Sequence, residues 1–382
     1  MMENFNPQPD QFHPIKTMQT QLPKTMKTPL QFAALALLLS TIIHQPSTAF
    51  AQGSLAPPGA PAPTMKTLDQ IEARTPITNT ASLVTISQPG SYYLTHNLTV
   101  TTGDAIDITT NGVTLDLNGF TLRSTAASAT GRGVQLTSGL RNITIVNGFI
   151  ESGVTNNGSG TYSGSGFGSG IYCSSIDLRN TRVSGVSVAG CLYHGILLGT
   201  GDSTVVEFCT VRTVGGYGIL ASTIKSCVAV DCGNLAIYGD QVSDSRGESV
   251  ADIGVYASAT ALNCYGSSSS YYGLFATTAQ NCYGYSTGTG GIGVFASTAN
   301  NCYGYSTGNG GIGVNAVVAN NSYGYSSTGV GLGCVGGTSG TGIATGCYGE
   351  SVGYVGLNAY IANGCVGVGP TPISVSHKYN MP

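Results

Sequence analysis

The chain has 382 residues, far more than one core requires, yet only 8% are charged against a typical ~25%, and 56 are glycine. With 14 Lys plus Arg and a net charge of −3 it lacks the cationic face that phosphate binding needs, so no nucleic-acid partner is expected. Its 41% hydrophobic content and low charge also exclude a disordered chain, and glycine is read as serving tight, repeated turns.

The first element is an export signal over residues 1–51. Lys24 and Lys27 precede an apolar run from Leu30 to Ile43, and Ala49-Phe50-Ala51 supplies a small-x-small cleavage site; Met26 is an alternative start. The run is shorter than the ~20 residues a membrane-crossing helix needs, so no membrane span is expected after cleavage. Residues 52–66, with QGSLAPPGAPAP, read as an extended proline-rich linker.

From residue 89 the pattern changes. PGSYYLTHNLTV at 89–100 is followed by NGVTLDLNGFTL and by RNITIVNGFI at 141–150, strands of alternating polarity that turn at Asn118-Gly119 and Asn147-Gly148. In these runs the chain resembles secreted bacterial proteins with right-handed parallel β-helix repeats, of the broad pectin-lyase-like fold. The resemblance spans roughly residues 67–250 and implies architecture and export rather than chemistry, because its motifs hold no catalytic residue. It also implies that residues 67–103 form a cap over one end of the helix. Enzymes of the wider fold use calcium-binding acidic clusters with an Arg or Lys base, paired Asp with Gly-His-Gly, or Asp-Pro-His beside Tyr. None of these stands here; His194 lies in Tyr193-His194-Gly195.

The remainder of the helix, assigned to residues 104–369, shows two columns. Cys209, Cys227, Ser245, Cys264, Cys282, Cys302, Ser322, Cys347 and Cys365 recur at coil-length spacing, each with an apolar residue three positions earlier, from Val206 to Ala362. The second column is Gly followed by an apolar residue, as in Gly218-Ile219, Gly254-Val255 and Gly293-Val294. NCYGYSTGTGGIGV at 281–294 returns almost unchanged at 301–314, and no Asp, Glu, Lys, Arg or His lies between Asp252 and Glu350. Repeats this short must stack to bury a core. The fold expected is therefore all-β, a single-stranded right-handed parallel β-helix of about 11–12 coils, roughly 50–60 Å long. Its handedness is inferred from the uneven coil length. Residues 370–382 form a C-terminal tail.

Arg212, Arg246, Glu248 and Glu350 stand one or three positions after the Cys/Ser column, where ions cannot enter a dry lumen, so alternation points the Cys/Ser column inward. That makes the thiols a buried stack of small side chains in preference to disulfides, and the zinc spacing of paired cysteines with histidines is missing. It also turns Tyr265, Tyr283, Tyr303 and Tyr323 outward, with Tyr285, Tyr305 and Tyr325 in a second file. These tyrosines are the candidate ligand-binding residues, for stacking on sugar rings or, alternatively, for stiffening the sheet. His194, Asp202, Glu207, Arg212, Arg246 and Glu248 are the only candidates for acid–base chemistry, since both an acid and a base occur among them. Their alternative role is solvated surface charge.

Three functions follow: a secreted or cell-surface rod that binds polysaccharide or another surface component; a polysaccharide lyase, hydrolase or epimerase using the charged residues; or an ice-binding surface. No metal or cofactor is expected, with calcium admitted only for the enzyme.

Overall fold

The computed structural model describes residues 72–173, 177–201, 203–334 and 341–381. The export signal, the linker, the first residues of the expected cap and the candidate Asp202 lie outside them. The described chain holds no helix and winds into a parallel β-solenoid of about 15 turns. Each turn lays one short strand on each of three ladders, which form three flanks of the solenoid.

On the first flank Val206, Ile224, Val242, Ala261, Ala279, Ala299, Ala319, Ala344 and Ala362 are successive partners, as the spacing predicts. On the third flank Val134, Ile171, Ile196, Ile219, Ile237, Val255, Leu274, Val294 and Val314 form an equally continuous row. Both rows are buried, and burying every second side chain of each strand gives one continuous core.

Between the first and second flanks the chain turns at the Cys/Ser column. The residue before each Cys or Ser adopts a left-handed conformation: φ is 53° at Asn263 and Asn281, 51° at Asn301 and 47° at Asn321. Asparagine tolerates this region better than other side chains and extends the ladder sideways. Asn281 Nδ2 donates to Asn263 Oδ1 at 3.2 Å, and Asn301 Nδ2 to Asn281 Oδ1 at 3.3 Å.

All eleven cysteines are buried. Each thiol in the column bonds the carbonyl two residues back, as Cys264 does to Leu262 at 3.2 Å and Cys282 to Gln280 at 3.2 Å. Ser245 and Ser322 make the same bond, at 2.7 and 3.0 Å, which is why serine substitutes there.

The turn count exceeds the 11–12 expected because three strands outside residues 104–369 also join the first ladder. Thr75–Ile77 pairs with Gly90–Leu94, which pairs with Val113–Asp116, so this part of the expected cap supplies rungs of the solenoid. Hydrophobic alternation in these strands matches that of the coils, with Ile77, Leu94 and Leu98 buried. At the other end Thr371–Tyr379, expected as a tail, pairs with Val355–Asn363 as the last rung. It carries Pro372 and Lys378, residues that discourage further pairing at a sheet edge.

The lumen narrows along its length. Leu, Ile and Phe167 fill the first half, whereas in the second Ala, Gly, Ser and Cys line the first and second flanks and only the third keeps large aliphatic residues such as Leu274, Val294 and Val314. There, Gly247, Gly266, Gly284, Gly304, Gly324 and Gly349 each face a backbone carbonyl of the third flank across the lumen.

Candidate functional site

The outward tyrosines lie on the second flank, in register from rung to rung. Tyr265, Tyr283, Tyr303, Tyr323 and Tyr348 stack with centroid separations of 5.2, 5.0, 4.6 and 5.3 Å and nearly parallel planes. Tyr285, Tyr305 and Tyr325 form the parallel file, at 5.6 and 4.4 Å. Because each ring covers its neighbour's face, most of these rings are half-buried and present edges and hydroxyls outward. The longer file is closed at one end by Arg246, whose guanidinium lies 5.4 Å from the Tyr265 ring and is held by Glu248, Nε to Oε1 at 2.8 Å. Towards the other end Tyr323 donates its hydroxyl to Glu350 at 2.7 Å; burial first, then that carboxylate, raises the phenol's pKa.

Among the described residues the candidates for acid–base chemistry fall on three flanks, and only Arg246 and Glu248 meet, as an ion pair. Glu207 lies on the first flank, paired with Arg182 at 2.7 Å and in register with Lys225. Arg212, Arg246 and Glu248 lie on the second. Arg212 is exposed, while Arg246 and Glu248 pair with each other. His194 lies at the entry to the third flank, in register with Ser169.

His194 belongs to a second aromatic strip that the spacing argument missed. It stacks between Tyr172 and Tyr217, at centroid separations of 6.0 and 5.4 Å. The strip continues through Tyr238, Tyr256, Phe275 and Phe295, with neighbours 4.8–6.5 Å apart. Its signal was an aromatic residue directly after the Gly-apolar pair, in Gly254-Val255-Tyr256, Gly273-Leu274-Phe275 and Gly293-Val294-Phe295. The imidazole Nδ1 accepts the Tyr217 backbone N–H at 3.2 Å, and burial lowers the histidine's pKa. It is therefore neutral at physiological pH, with its proton on Nε2.

Beside His194 lies a concavity of about 330 Å³ lined by Gly131, Arg132, Ser169, Tyr172, Tyr193 and His194. Further along the same flank, Asp107 is in register with Gln135, and Gln135 with Tyr172. Asp107 Oδ1 and Gln135 Oε1 are buried without a hydrogen-bond partner among the described residues. Burial, and then the charge of Asp104, raises the pKa of the Asp107 carboxyl. Among the described residues no three His, Cys, Asp or Glu side chains gather as metal ligands would, and no helix is long and apolar enough to cross a membrane.

Comparison of the chain with protein-family models, with curated proteins and with solved structures gives no match.

Proposed function

We infer that this is a secreted or cell-surface β-helix protein of the pectin-lyase-like kind, a stiff rod whose second flank contacts polysaccharide. The observation that carries this reading is the unbroken file of five stacked tyrosines on a flank otherwise poor in charge. Stacking fixes the rings without further loss of side-chain entropy on binding, and each rung offers a phenol hydroxyl to a sugar hydroxyl. Export is supported by the apolar run between Lys27 and the Ala49-Phe50-Ala51 site.

A lyase, hydrolase or epimerase built from the candidate charges is less well supported, because Glu207, Arg212 and His194 stand on three different flanks and the one acid beside a base, Glu248, is bound up with Arg246. Ice binding needs a regular outward file of threonine pairs. Among the described residues Thr260, Thr278 and Thr298 form a file of single threonines, which ends at Val318.

A glycan array probed with the purified protein, with and without calcium, tests the reading. Binding to one glycan class, lost when Tyr283, Tyr303 and Tyr323 are changed to Ser, is the expected result. Binding that survives the triple substitution, or a blank array, refutes polysaccharide contact through the tyrosines.

A further inference from the structure

The chain has no tryptophan, and all eleven cysteines are buried. Tyrosine is therefore the surface side chain that most readily loses one electron. A phenol does so easily only when its hydroxyl proton has somewhere to go. Two phenoxyl radicals then join carbon to carbon only if their rings are neighbours.

Tyr323 meets both conditions. Its hydroxyl donates to Glu350 at 2.7 Å, so a carboxylate stands ready to take the proton as the electron leaves. Its ring stacks on Tyr303 with centroids 4.6 Å apart and planes 16° from parallel, the closest approach in the longer file. Tyr303 is 37% exposed, more than any other member of that file, so an oxidant in solvent can reach the pair. The two rings are also held together by the backbone. Tyr303 and Tyr323 are register partners on adjacent strands, with Gly304 opposite Gly324 and Tyr305 opposite Tyr325.

Other tyrosines meet one condition each among the described residues. Tyr162 donates to Asp231 at 2.9 Å but stacks on no tyrosine ring. Tyr271 stacks on Tyr272 at 3.9 Å and is 46% exposed, yet neither hydroxyl donates to a carboxylate. Tyr305 and Tyr325, at 4.4 Å, lack a carboxylate in the same way.

We propose that Tyr303 and Tyr323 are a site of oxidative cross-linking, joined ring to ring by a haem peroxidase with hydrogen peroxide, with Glu350 as the proton acceptor for Tyr323. Each phenol gives one electron to the oxidant and loses its hydroxyl proton, Tyr323 to Glu350 and Tyr303 to water. The radicals bond through the ring carbons next to the hydroxyls, and the hydrogens on those carbons return to the phenol oxygens. In sum the two tyrosines lose two electrons and two protons, and one hydrogen peroxide becomes two waters. The product ties together two rungs that lie 20 residues apart in the chain, and it forms whether or not the file binds polysaccharide.

The test treats the whole protein, dilute, with peroxidase and hydrogen peroxide. Elastase then cuts at Val314, Ala316 and Val318, between the two tyrosines, and tandem mass spectrometry maps the joined peptides. The cross-link between Tyr303 and Tyr323 should be the main product. It should exceed any through the more exposed Tyr193, Tyr354 or Tyr379 by at least about tenfold, because a partner held in register outcompetes one met by diffusion. Tyr303→Phe should abolish it, and Tyr305→Phe should leave it. Glu350→Gln should slow its formation about tenfold with the melting temperature unchanged. Absence of this product, a mixture dominated by Tyr271 joined to Tyr272 or by chains joined to one another, or a rate indifferent to Glu350→Gln each overturns the proposal.

Discussion

Gly304→Ala should be among the most damaging single-methyl additions in the molecule. Gly304 sits in the lumen between Gly284 and Gly324, its partners on the rungs to either side, and faces the Gly313 carbonyl across the coil. An added Cβ would fall well inside the 3.0 Å that such atoms essentially never breach, against backbone atoms and not against the end of a flexible side chain. Relief requires the Gly313 segment to move, yet that backbone is bonded to the rung beyond it, Gly313 N to Val330 O at 3.1 Å. Overpacking of this kind costs about 3 kcal/mol where neighbours cannot yield. Gly333→Ala is the control. Its nearest neighbours would lie at 3.7 and 3.9 Å, in ordinary contact, and its backbone is not left-handed, so a change within about 0.5 kcal/mol is expected. Urea unfolding followed by far-ultraviolet circular dichroism separates the two variants. Because a stacked array loses stability locally, hydrogen exchange should also show the loss centred on residues 284–324. Equal midpoints for Gly304→Ala and Gly333→Ala would refute the claim that glycine in this column is required by a closed lumen.

Cys282→Ser should stay within about 1 kcal/mol of the parent in the same unfolding assay, because Ser245 and Ser322 already make the column's bond to the carbonyl two residues back. In the folded protein Cys191, Cys282 and Cys334 should resist thiol reagents at neutral pH, as read by peptide mass. Burial raises the thiol pKa of Cys191 and Cys334 to about 12, and the hydrogen bond with Cys264, together with burial, does the same for Cys282. Asp107→Asn should raise the melting temperature at neutral pH. A carboxyl whose folded pKa lies above its unfolded value stabilises fully below that unfolded value, near 3.8, and the contribution is lost as pH rises through the folded pKa. The gain should therefore shrink as pH falls toward 3.8, and a gain that persists in acid would contradict the burial of Asp107 as its cause.

The columns were legible because a solenoid converts sequence period into spatial neighbourhood. Ala279 and Ala299 are 20 residues apart and in register, and so are Tyr283 and Tyr303. Side-chain direction followed from one electrostatic fact, that Arg246 and Glu248 cannot enter the lumen, and the buried thiols followed from that direction. The end strands were harder to read. Thr75–Ile77 and Thr371–Tyr379 carry no Cys/Ser corner and no Gly-apolar pair, so only their alternation marks them as rungs.

Sequence proximity misleads for the same reason that period informs. Glu207 and Arg212 are five residues apart, but the Cys209 corner lies between them and sends them to different flanks. His194 and Ser169, 25 residues apart, meet because a whole turn separates them. What decides whether two side chains meet is their phase within the coil. Phase is plain where turns are of constant length, as between residues 281 and 320, and obscure where they vary, as between Arg132, Ser169 and His194. Equal turns stack identical side chains and build strips such as the tyrosine files; unequal turns bring unlike side chains onto neighbouring rungs. A recess mixing Arg, Ser, Tyr and His can arise only from the irregular turns, where the period gives no warning of it.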